Sequence, residues 1–435
     1  MGDQLRNTLN QARELDRQDE LSGFREQFWM PKKPDGGEQL YFCGNSLGLQ
    51  PKRVREAMLD ELDAWRELGV EGHFKGQRPW TLYHDLLREP MAELVGAKPL
   101  EVAIMNSLTV NLHLLMISFY RPRGQRKQVL IEEQSFPSDR YAVESQIRMH
   151  GLDPAQCLVE IAPAGNARTI DETVIEDYLA EHGDQVALVL WPGVQYASGQ
   201  FFDLARIVTA AHRAGAMCGF DLAHAVGNVP LSLDESNADF AAWCTYKYLN
   251  SGMGAVAGCF VNERHGQNTD ITRLHGWWGT APESRFMMTP EFNPARGAEA
   301  WVMSNPPILA MAPIRVSLEM FEQAGMDALR RKSVEMTAYL EQLIHTELGD
   351  SLQIITPADS ERRGCQLSLR VLAGREAGSK LFEQLEAAGT IPDWREPDVI
   401  RVAPVPMYNR FEDCWLFVNQ VKGFLGKNLA VQYAD

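Results

Sequence analysis

The sequence has little positive charge and contains no apolar run of membrane-spanning length. Its 435 residues include 42 Lys and Arg against 58 Asp and Glu, which gives a formal net charge of -16. An acidic surface disfavours non-specific binding to nucleic acid or to an anionic membrane, because both need basic side chains. The missing apolar run argues against a transmembrane helix. We therefore expect neither nucleic acid nor a membrane as a partner.

The cysteines are few and scattered, without a CxxC pair. The seven are Cys43, Cys157, Cys218, Cys244, Cys259, Cys365 and Cys414. This spacing indicates neither a dense disulfide framework nor a metal-binding motif, so we expect buried, reduced thiols and no metal site. The first residues, MGDQLRNTLNQARELDRQDEL, are polar and charged and do not resemble a secretory signal. Both features predict a cytoplasmic protein.

Apolar segments alternate with helical segments between about residues 100 and 221. The strand-like segments are EVAIMN, QVLIEE, CLVEIA, VALVLW and AMCGFD. Strands without polar alternation, separated by helices, indicate a mainly parallel sheet that is covered on both faces. We predict an α/β architecture: a mainly parallel central sheet flanked by helices, plus a smaller α+β domain.

Two changes of pattern suggest how the chain is divided. The segment KRVREAMLDELDAWRELG carries apolar side chains at helical spacing, and after residue 313 a long helical region through residue 348 precedes short strands. We predict an N-terminal helical segment that joins the small domain, a large domain that binds the ligand, and a small C-terminal α+β domain. Their bounds are residues 1–70, 71–312 and 313–435.

The segment FDLAHAVGNVP places Asp221 and His224 at the end of a strand-like run. A buried carboxylate must find a positive partner or take up a proton. Lys247 ends the next apolar run, where desolvation near a cavity can turn a lysine into a nucleophile. Ligands of such sheets bind at the carboxyl ends of the strands, so these side chains should lie together. Taken singly, each is equally well explained as a helix cap, a packed histidine or a solvent-reaching lysine.

Two further segments add features to the same edge of the sheet. NSLTVNLHLLM offers Ser107 and Thr109 as hydroxyl caps of a helix whose free N–H groups favour a phosphate. EEQSFPSDRY places Phe136 and Asp139 in the loop after the next strand. A lysine, carboxylates, an aromatic ring and a phosphate-binding helix start together suit pyridoxal phosphate, and we predict this cofactor.

The chain resembles the kynureninase family, which belongs to the fold-type I pyridoxal-phosphate enzymes. The segments that carry the resemblance are YFCGNSLGLQP, GHFKGQRPW, MNSLTVNLHLLM, FPSDRYAVESQ, GFDLAHAVGNVPL, WCTYKYLNSG, GWWG, MSNPPIL and RVAPVPMYN. They span most of the chain in the family's order. The resemblance implies hydrolysis of the β–γ carbon bond of L-kynurenine or 3-hydroxy-L-kynurenine, which yields L-alanine and anthranilate or 3-hydroxyanthranilate. It also implies a place in tryptophan degradation and NAD biosynthesis, and a homodimer with shared active sites.

The resemblance assigns catalytic and cofactor-binding roles. Lys247 would bond to the cofactor's aldehyde and act as the base, Asp221 would face the ring nitrogen, and Tyr246 would relay a proton. The residues expected to contact the cofactor are Leu108, Thr109, Phe136, Asp139, Asp221, His224, Tyr246, Lys247, Trp277 and Asn305. Trp277 is expected from the neighbouring subunit, and its spacing to Asn305 favours it over Trp278.

The resemblance also assigns three residues to the substrate. Arg401 would bind the α-carboxylate with its planar fork of donors. His73 and Asn305 would line the aryl pocket and bond the extra hydroxyl, which predicts a preference for 3-hydroxy-L-kynurenine. A role in fixing the loop remains equally open for both.

Two other functions stay open at this point. A related fold-type I enzyme such as a cysteine desulfurase would keep Asp221, His224 and Lys247 but would need a reactive cysteine on a mobile loop, and Cys365 is the candidate considered. A non-catalytic regulatory relative would keep the fold alone. The intact lysine and carboxylate argue against that alternative.

Overall fold

The structure, a computed structural model, describes residues 8–432 except residues 166, 267 and 269. The chain divides into two compact units. The small unit comprises Met1–Lys52, Ala197–Phe201 and Gln323–Asp435, and the large unit comprises Arg53–Tyr196 and Phe202–Glu322. The domain bounds expected from the sequence stay a prediction.

The strands and helices alternate along much of the chain. The strands are β1 (Leu40–Tyr41), β2 (Val102–Ile104), β3 (Gln128–Glu132), β4 (Leu158–Ile161), β5 (Val186–Pro192), β6 (Met217–Asp221), β7 (Phe240–Trp243), β8 (Gly258–Val261), β9 (Leu352–Ile354), β10 (Leu367–Val371), β11 (Thr390–Ile391), β12 (Asp393–Arg395) and β13 (Val399–Val402). The helices are α1 (Leu9–Gln18), α2 (Val54–Leu68), α3 (Tyr83–Val95), α4 (Leu108–Phe119), α5 (Pro137–Met149), α6 (Pro154–Cys157), α7 (Glu172–His182), α8 (Leu204–Arg213), α9 (Leu233–Ser236), α10 (Glu263–Gly266), α11 (Pro282–Arg285), α12 (Ile308–Ala324), α13 (Met326–Leu348), α14 (Arg375–Ala387) and α15 (Phe411–Gln432).

A seven-stranded sheet forms the centre of the large unit, in the order β2-β8-β7-β6-β5-β3-β4. The pairs from β7 through β4 are parallel, whereas β8 runs antiparallel to both β2 and β7. The strands are almost continuously apolar because helices cover them, and β7 and β8 are buried along their whole length. The predicted mainly parallel sheet is therefore confirmed.

The sheet's topology brings several functional segments to one edge. Strands β3, β6 and β7 are parallel, so their carboxyl ends meet on the same side. Helices α4 and α5 begin just after β2 and β3, and β2 runs in the same direction as the parallel strands because β8 alone is reversed. The carboxyl ends of strands and the N-termini of helices thus collect at this edge.

The small unit is built around a four-stranded antiparallel sheet, in the order β12-β13-β10-β9, with a separate parallel pair β1-β11. Helices α13, α14 and α15 pack on its apolar core. Helix α1 is fixed to them by polar contacts: Asp16 accepts hydrogen bonds from the backbone N–H groups of Phe411 (2.7 Å) and Glu412 (3.0 Å) at the start of α15. The predicted small α+β region is therefore present.

Within the described part of the chain, no helix combines the length and apolarity needed to cross a membrane.

A buried carboxylate, Asp239, directly precedes β7 and contacts residues of α8, β6 and α10. Its oxygens lie 3.0 Å from His212 Nε2, 2.7 Å from His265 Nε2 and 2.6 Å from Arg264 Nη2, and accept from the backbone N–H of Cys218 at 2.7 Å. Burial alone would raise the pKa of Asp239, but these hydrogen bonds outweigh it and hold the pKa well below its usual range. The ionised carboxylate therefore stabilises the fold.

Replacing this carboxylate, Asp239→Asn, should lower the free energy of unfolding by about 3 kcal/mol, because Arg264 and the other hydrogen-bond donors lose a buried anion. The folded-state pKa lies below the unfolded one, so the stabilisation is complete above the unfolded-state pKa of about 4, declines as the pH falls below it, and is lost only as the pH passes through the much lower folded-state pKa. Denaturant titrations of both proteins at several pH values measure the difference. Equal midpoints at neutral pH would contradict the expectation, and the exposed Asp177→Asn is the control.

Candidate active site

Lys247 and His224 face each other at the carboxyl edge of the large unit's sheet. His224 lies in the turn that follows β6, and Lys247 lies shortly after the end of β7. Lys247 Nζ is 3.0 Å from His224 Nε2. The buried histidine thus holds the amine of a half-buried lysine in one position.

Two carboxyl groups, Asp139 and Asp221, lie buried beside this lysine. Asp221 is the last residue of β6 and accepts a hydrogen bond from the backbone N–H of Ala223 at 2.7 Å. Asp139 is in the first turn of α5, and its carboxyl is close enough to that of Asp221 to share a proton. Burial and the charge of Asp221 raise the pKa of Asp139 well above its usual range. Burial also raises the pKa of Asp221, against the opposing effect of Lys247.

A third carboxyl group, Glu132, belongs to the same edge. It ends β3, and its Oε1 lies 3.3 Å from Gln195 Nε2. Burial raises the pKa of Glu132 to about 8, and the charge of Asp221 acts in the same direction. Glu132 was not among the residues predicted from the sequence, although it lies at the end of the strand-like segment QVLIEE, where the rule that selected Asp221 would have found it.

The ring of Phe136 borders the lysine. Its centroid is 5.9 Å from Lys247 Nζ, and Tyr196 packs edge-on against it at 5.3 Å. The side chain is 43% exposed, so a large part of the ring's surface is open to a ligand. A flat cation or an aromatic ring fits such a surface.

The N-termini of α4 and α5 meet through their hydroxyl side chains. Thr109 Oγ1 lies 2.9 Å from Ser138 Oγ. The hydrogen bonds of α4 begin with Asn111 N–H to the carbonyl of Ser107, so the N–H groups of its first turn remain available to an anion. Ser107 does not cap the helix with its side chain, and that expectation was wrong; the sequence analysis also missed Ser138, which stands in the quoted FPSD segment.

Tyr246 and Cys244 lie next to Lys247 in the chain and next to each other in space. Burial, the nearby thiol and a hydrogen bond between the two side chains raise the pKa of Tyr246. Burial likewise raises the pKa of Cys244, which the charge of Lys247 partly offsets. Both groups therefore stay protonated at neutral pH.

His73 and Trp277 belong to a different cluster, which is aromatic and partly exposed. The ring of His73 packs against Trp80 at 5.3 Å, and the adjacent Phe74 contacts Phe286, which in turn contacts Trp277. Of the residues that the structure describes, none joins this cluster to Lys247 through a hydrogen bond or a ring contact.

Asn305 is exposed and lines a small cavity of about 190 Å³. The same cavity is lined by His84, Arg88, Trp278 and Ser304, but not by His73. The structure therefore places the two residues expected to recognise a substrate hydroxyl in neighbouring parts of the large unit rather than side by side.

Arg401 lies in the small unit, on β13, and is only 1% exposed. It forms an ion pair with Asp393, which stands opposite it on β12 and also pairs with Arg395 Nη2 at 3.0 Å. The guanidinium is thereby held in a fixed orientation, which a carboxylate grip requires.

In the protein without cofactor, Asp139→Asn should raise the free energy of unfolding at neutral pH by about 1 kcal/mol. The variant gains stability and loses function, as is common at binding sites. The raised folded-state pKa means that folding must take up a proton above the unfolded pKa of about 4, and an amide carries no such cost. The gain should shrink as the pH falls towards 4. Thermal unfolding of both proteins between pH 4.5 and 7.5 measures it; a destabilised variant at neutral pH would refute the paired-carboxyl description.

Known sequences are similar to this chain along nearly its whole length. Residues 329–421 match the family model of the kynureninase C-terminal domain. The chain is 57% identical over 411 residues to the kynureninase of Xanthomonas euvesicatoria pv. vesicatoria (strain 85-10), covering 94% of this chain and 96% of that protein. It is 56% identical over 412 residues to the kynureninase of Stenotrophomonas maltophilia (strain K279a), covering 95% and 97%.

Solved structures with a similar fold are much more distant in sequence. A cysteine desulfurase from Thermococcus onnurineus NA1 aligns with a TM-score of 0.73 at 16% identity, over 93% of this chain and 98% of that one. A C-DES mutant with glycine covalently linked to its pyridoxal-phosphate cofactor aligns with a TM-score of 0.71 at 17% identity, over 92% and 98%. Such likeness establishes the fold alone, and it confirms the predicted fold-type I architecture. The identity of more than half of the residues along almost the whole chain goes further than the fold: the chain belongs to the kynureninase family.

Proposed function

We propose that this protein is a pyridoxal-phosphate-dependent kynureninase, a hydrolase of carbon–carbon bonds. Its reaction would cleave the β–γ carbon bond of L-kynurenine or 3-hydroxy-L-kynurenine with water, giving L-alanine and anthranilate or 3-hydroxyanthranilate. Beyond family membership, the observation that carries the proposal is the contact of Lys247 with His224 beside the buried carboxyl pair.

The buried residues fit the proposed cofactor in charge and shape. The raised pKa values of Asp139 and Asp221 show that this place disfavours two negative charges, and a protonated ring nitrogen would stabilise the ionised form. Phe136 offers an open ring surface, and the joined N-termini of α4 and α5, including Leu108 and Thr109, offer N–H and hydroxyl donors for a phosphate. When bound, the cofactor supplies an electron sink for the substrate's α carbon.

Proton transfer would fall to two residues of the chain. Lys247 Nζ would remove and return the proton at the α carbon, and His224 Nε2 would keep the amine in position for it. Tyr246 keeps its phenolic proton at neutral pH and can donate it to an oxygen or carbon that develops charge. The nearby thiol of Cys244 helps to keep the pKa of that phenol raised.

Substrate recognition would involve three residues. Arg401 would bind the α-carboxylate, since its fork matches a carboxylate and its orientation is fixed by Asp393. His73 and Asn305 would meet the hydroxyl of the aryl ring, which favours 3-hydroxy-L-kynurenine. With plain L-kynurenine, the donor of His73 or Asn305 would be left unpaired inside the complex. The cost of that unpaired donor provides the discrimination.

The proposed homodimer is supported by the exposed aromatic cluster of Phe74, Phe286 and Trp277. Each of these rings is between 43% and 60% exposed, and the nearby Met287 and Met288 are about 70% exposed. Exposed apolar groups of this density are typical of protein interfaces. A second copy of the chain would cover them, and His73, Trp277 and Asn305 would then act in the partner's site.

A reducing, cytoplasmic location belongs to the same proposal. All seven cysteines are free, and six are buried. Free thiols are the usual state in the cytoplasm.

The runner-up, a cysteine desulfurase, is a distant relative in fold only. The sulfur-accepting cysteine of such an enzyme must be accessible, whereas Cys365 is only 1% exposed. The regulatory alternative gains no support from the intact lysine site.

Shared active sites predict complementation between two inactive variants. Lys247→Ala and Trp277→Ala chains, unfolded together and refolded, should form mixed dimers in which one of the two sites keeps both native side chains. About a quarter of wild-type activity should return for random pairing in a two-fold dimer. Activity no greater than the sum of the separate variants would contradict shared sites.

The proposed reaction predicts turnover of both aryl amino acids by the cofactor-loaded enzyme. The catalytic efficiency should be higher with 3-hydroxy-L-kynurenine, and Lys247→Ala should lower it by at least about 10⁴-fold on both substrates, since covalent attachment and the base are lost together. Steady-state assays of the aromatic product and alanine measure this.

Each outcome of that assay separates one part of the proposal from the rest. Equal or better efficiency with plain L-kynurenine would refute the role of His73 and Asn305 in binding the hydroxyl. A loaded enzyme that acts on neither substrate would refute the kynureninase function. Release of alanine and sulfur from cysteine would then favour the desulfurase.

A further inference from the structure

Glu299 is a buried carboxylate in the large unit, outside the lysine site. Its oxygens contact Arg285 Nη2 at 2.8 Å, Arg88 Nη2 at 3.1 Å and His84 Nε2 at 3.3 Å. Burial alone would raise the pKa of Glu299, but these partners outweigh it and lower the pKa to about 2. The group therefore remains an anion at every pH at which an enzyme works.

The main partner of Glu299, Arg285, holds both tryptophans of the 3-10 turn Trp277–Gly279, which we call the tryptophan turn. Arg285 Nη2 donates to the carbonyl oxygens of Trp278 and Thr280, both at 2.8 Å. Its Cζ lies 4.4 Å from the centre of the Trp278 ring. The carbonyl of Arg285 accepts a hydrogen bond from Trp277 Nε1 at 2.8 Å.

The tryptophan turn is packed directly against the segment that leads to Asn305. A Cβ atom added to Gly276 would come within 2.2 Å of the carbonyl oxygen of Met303, and one added to Gly279 would meet the carbonyl oxygens of Ala300 and Val302 at 2.9 Å. The two stretches of backbone are thus in contact. Glu299 itself belongs to the 3-10 turn Gly297–Trp301 that starts this segment.

The ion pair of Arg285 with Glu299 therefore connects the two segments that carry Trp277 and Asn305. Trp278 and Asn305 line the same small cavity, together with Arg88 and His84, which are the other partners of Glu299. The hydrogen bonds to Trp278, Thr280 and Glu299 all come from Arg285 Nη2, while the flat guanidinium covers the Trp278 ring. A lysine in place of Arg285 has no planar group, so it cannot cover this ring while it makes the same hydrogen bonds.

We propose that Arg285 and Glu299 are positioning residues, which fix the ring of Trp277 in place for the cofactor site and hold Trp278 and Asn305 as the wall of the aryl pocket. This inference rests on the proposed function. Neither side chain needs to touch cofactor or substrate, because both are buried and their contacts lie within the cluster. Buried ion pairs contribute little net stability but can select one conformation, and here the selected conformation is that of the tryptophan turn.

The first test compares Arg285→Lys and Glu299→Gln with the wild-type holoenzyme. Both variants should bind pyridoxal phosphate about tenfold more weakly and raise KM for L-kynurenine about tenfold, while kcat changes less than about threefold, since supporting contacts of a site typically act at this scale. Cofactor affinity is measured by titrating the protein without cofactor and following its absorbance. Unchanged affinity and KM in both variants would overturn the proposal.

A matched control separates positioning from a general loss of stability. Asp239→Asn also removes a buried carboxylate with several cationic partners in the same unit, but it lies away from the tryptophan turn. At a temperature where each protein is folded, this variant should keep the cofactor affinity and KM of the wild type. A loss equal to that of Glu299→Gln would show a merely structural role and refute the inference.

A double-mutant cycle then tests whether the ion pair of Arg285 and Glu299 acts through Trp277. Trp277→Phe keeps an aromatic ring, although a smaller one, and loses the donor to the carbonyl of Arg285. If Glu299 acts through this side chain, the combined loss of cofactor affinity should be clearly smaller than the product of the single losses. Independent effects would refute the connection. The cofactor titration needs no turnover, so a failure of the kynureninase proposal leaves this readout intact and distinguishable.

Discussion

The buried carboxyl pair of Asp139 and Asp221 is the constraint on which the rest of the site depends. Two acids taken out of water and placed side by side resist carrying two negative charges, so the pKa values of both are raised above those of the unfolded chain. Lys247 lowers that cost but stays tied to His224. Such an arrangement opposes folding and favours the arrival of a cationic ring, which is why it is better explained as a binding site than as a structural element.

The fold makes this arrangement possible because the pieces come from distant parts of the sequence. Parallel strands bring Glu132 and Asp221 to one edge, and helices α4 and α5 begin there with their donors unsatisfied. The same architecture occurs in the cysteine desulfurase of Thermococcus onnurineus at 16% identity. The sheet edge is thus a general platform, and the chemistry is decided by the side chains placed on it.

A second layer of organisation lies away from the lysine. The buried anion of Glu299 and the guanidinium of Arg285 fix a turn whose tryptophans sit beside an exposed aromatic cluster. Arg285 is only 5% exposed, whereas Trp277, the ring that it holds, is 43% exposed. A rigidly supported, exposed ring is suited to binding another molecule. An ordered but exposed aromatic group costs less conformational entropy on binding than a mobile one.

The α/β class, the parallel sheet, the cofactor hypothesis and the group of Asp221, His224 and Lys247 could all be predicted from the amino-acid pattern, because continuous apolar strands and residues at strand ends are local features. Which charges meet could be seen only in the folded chain. Glu132 beside Asp221, Ser138 on Thr109, Asp393 on Arg401 and Glu299 on Arg285 join residues from 8 to nearly 90 positions apart, and no periodicity encodes such pairs. Their contacts arise from packing, since a buried charge or donor takes whichever partner the folded chain brings within reach.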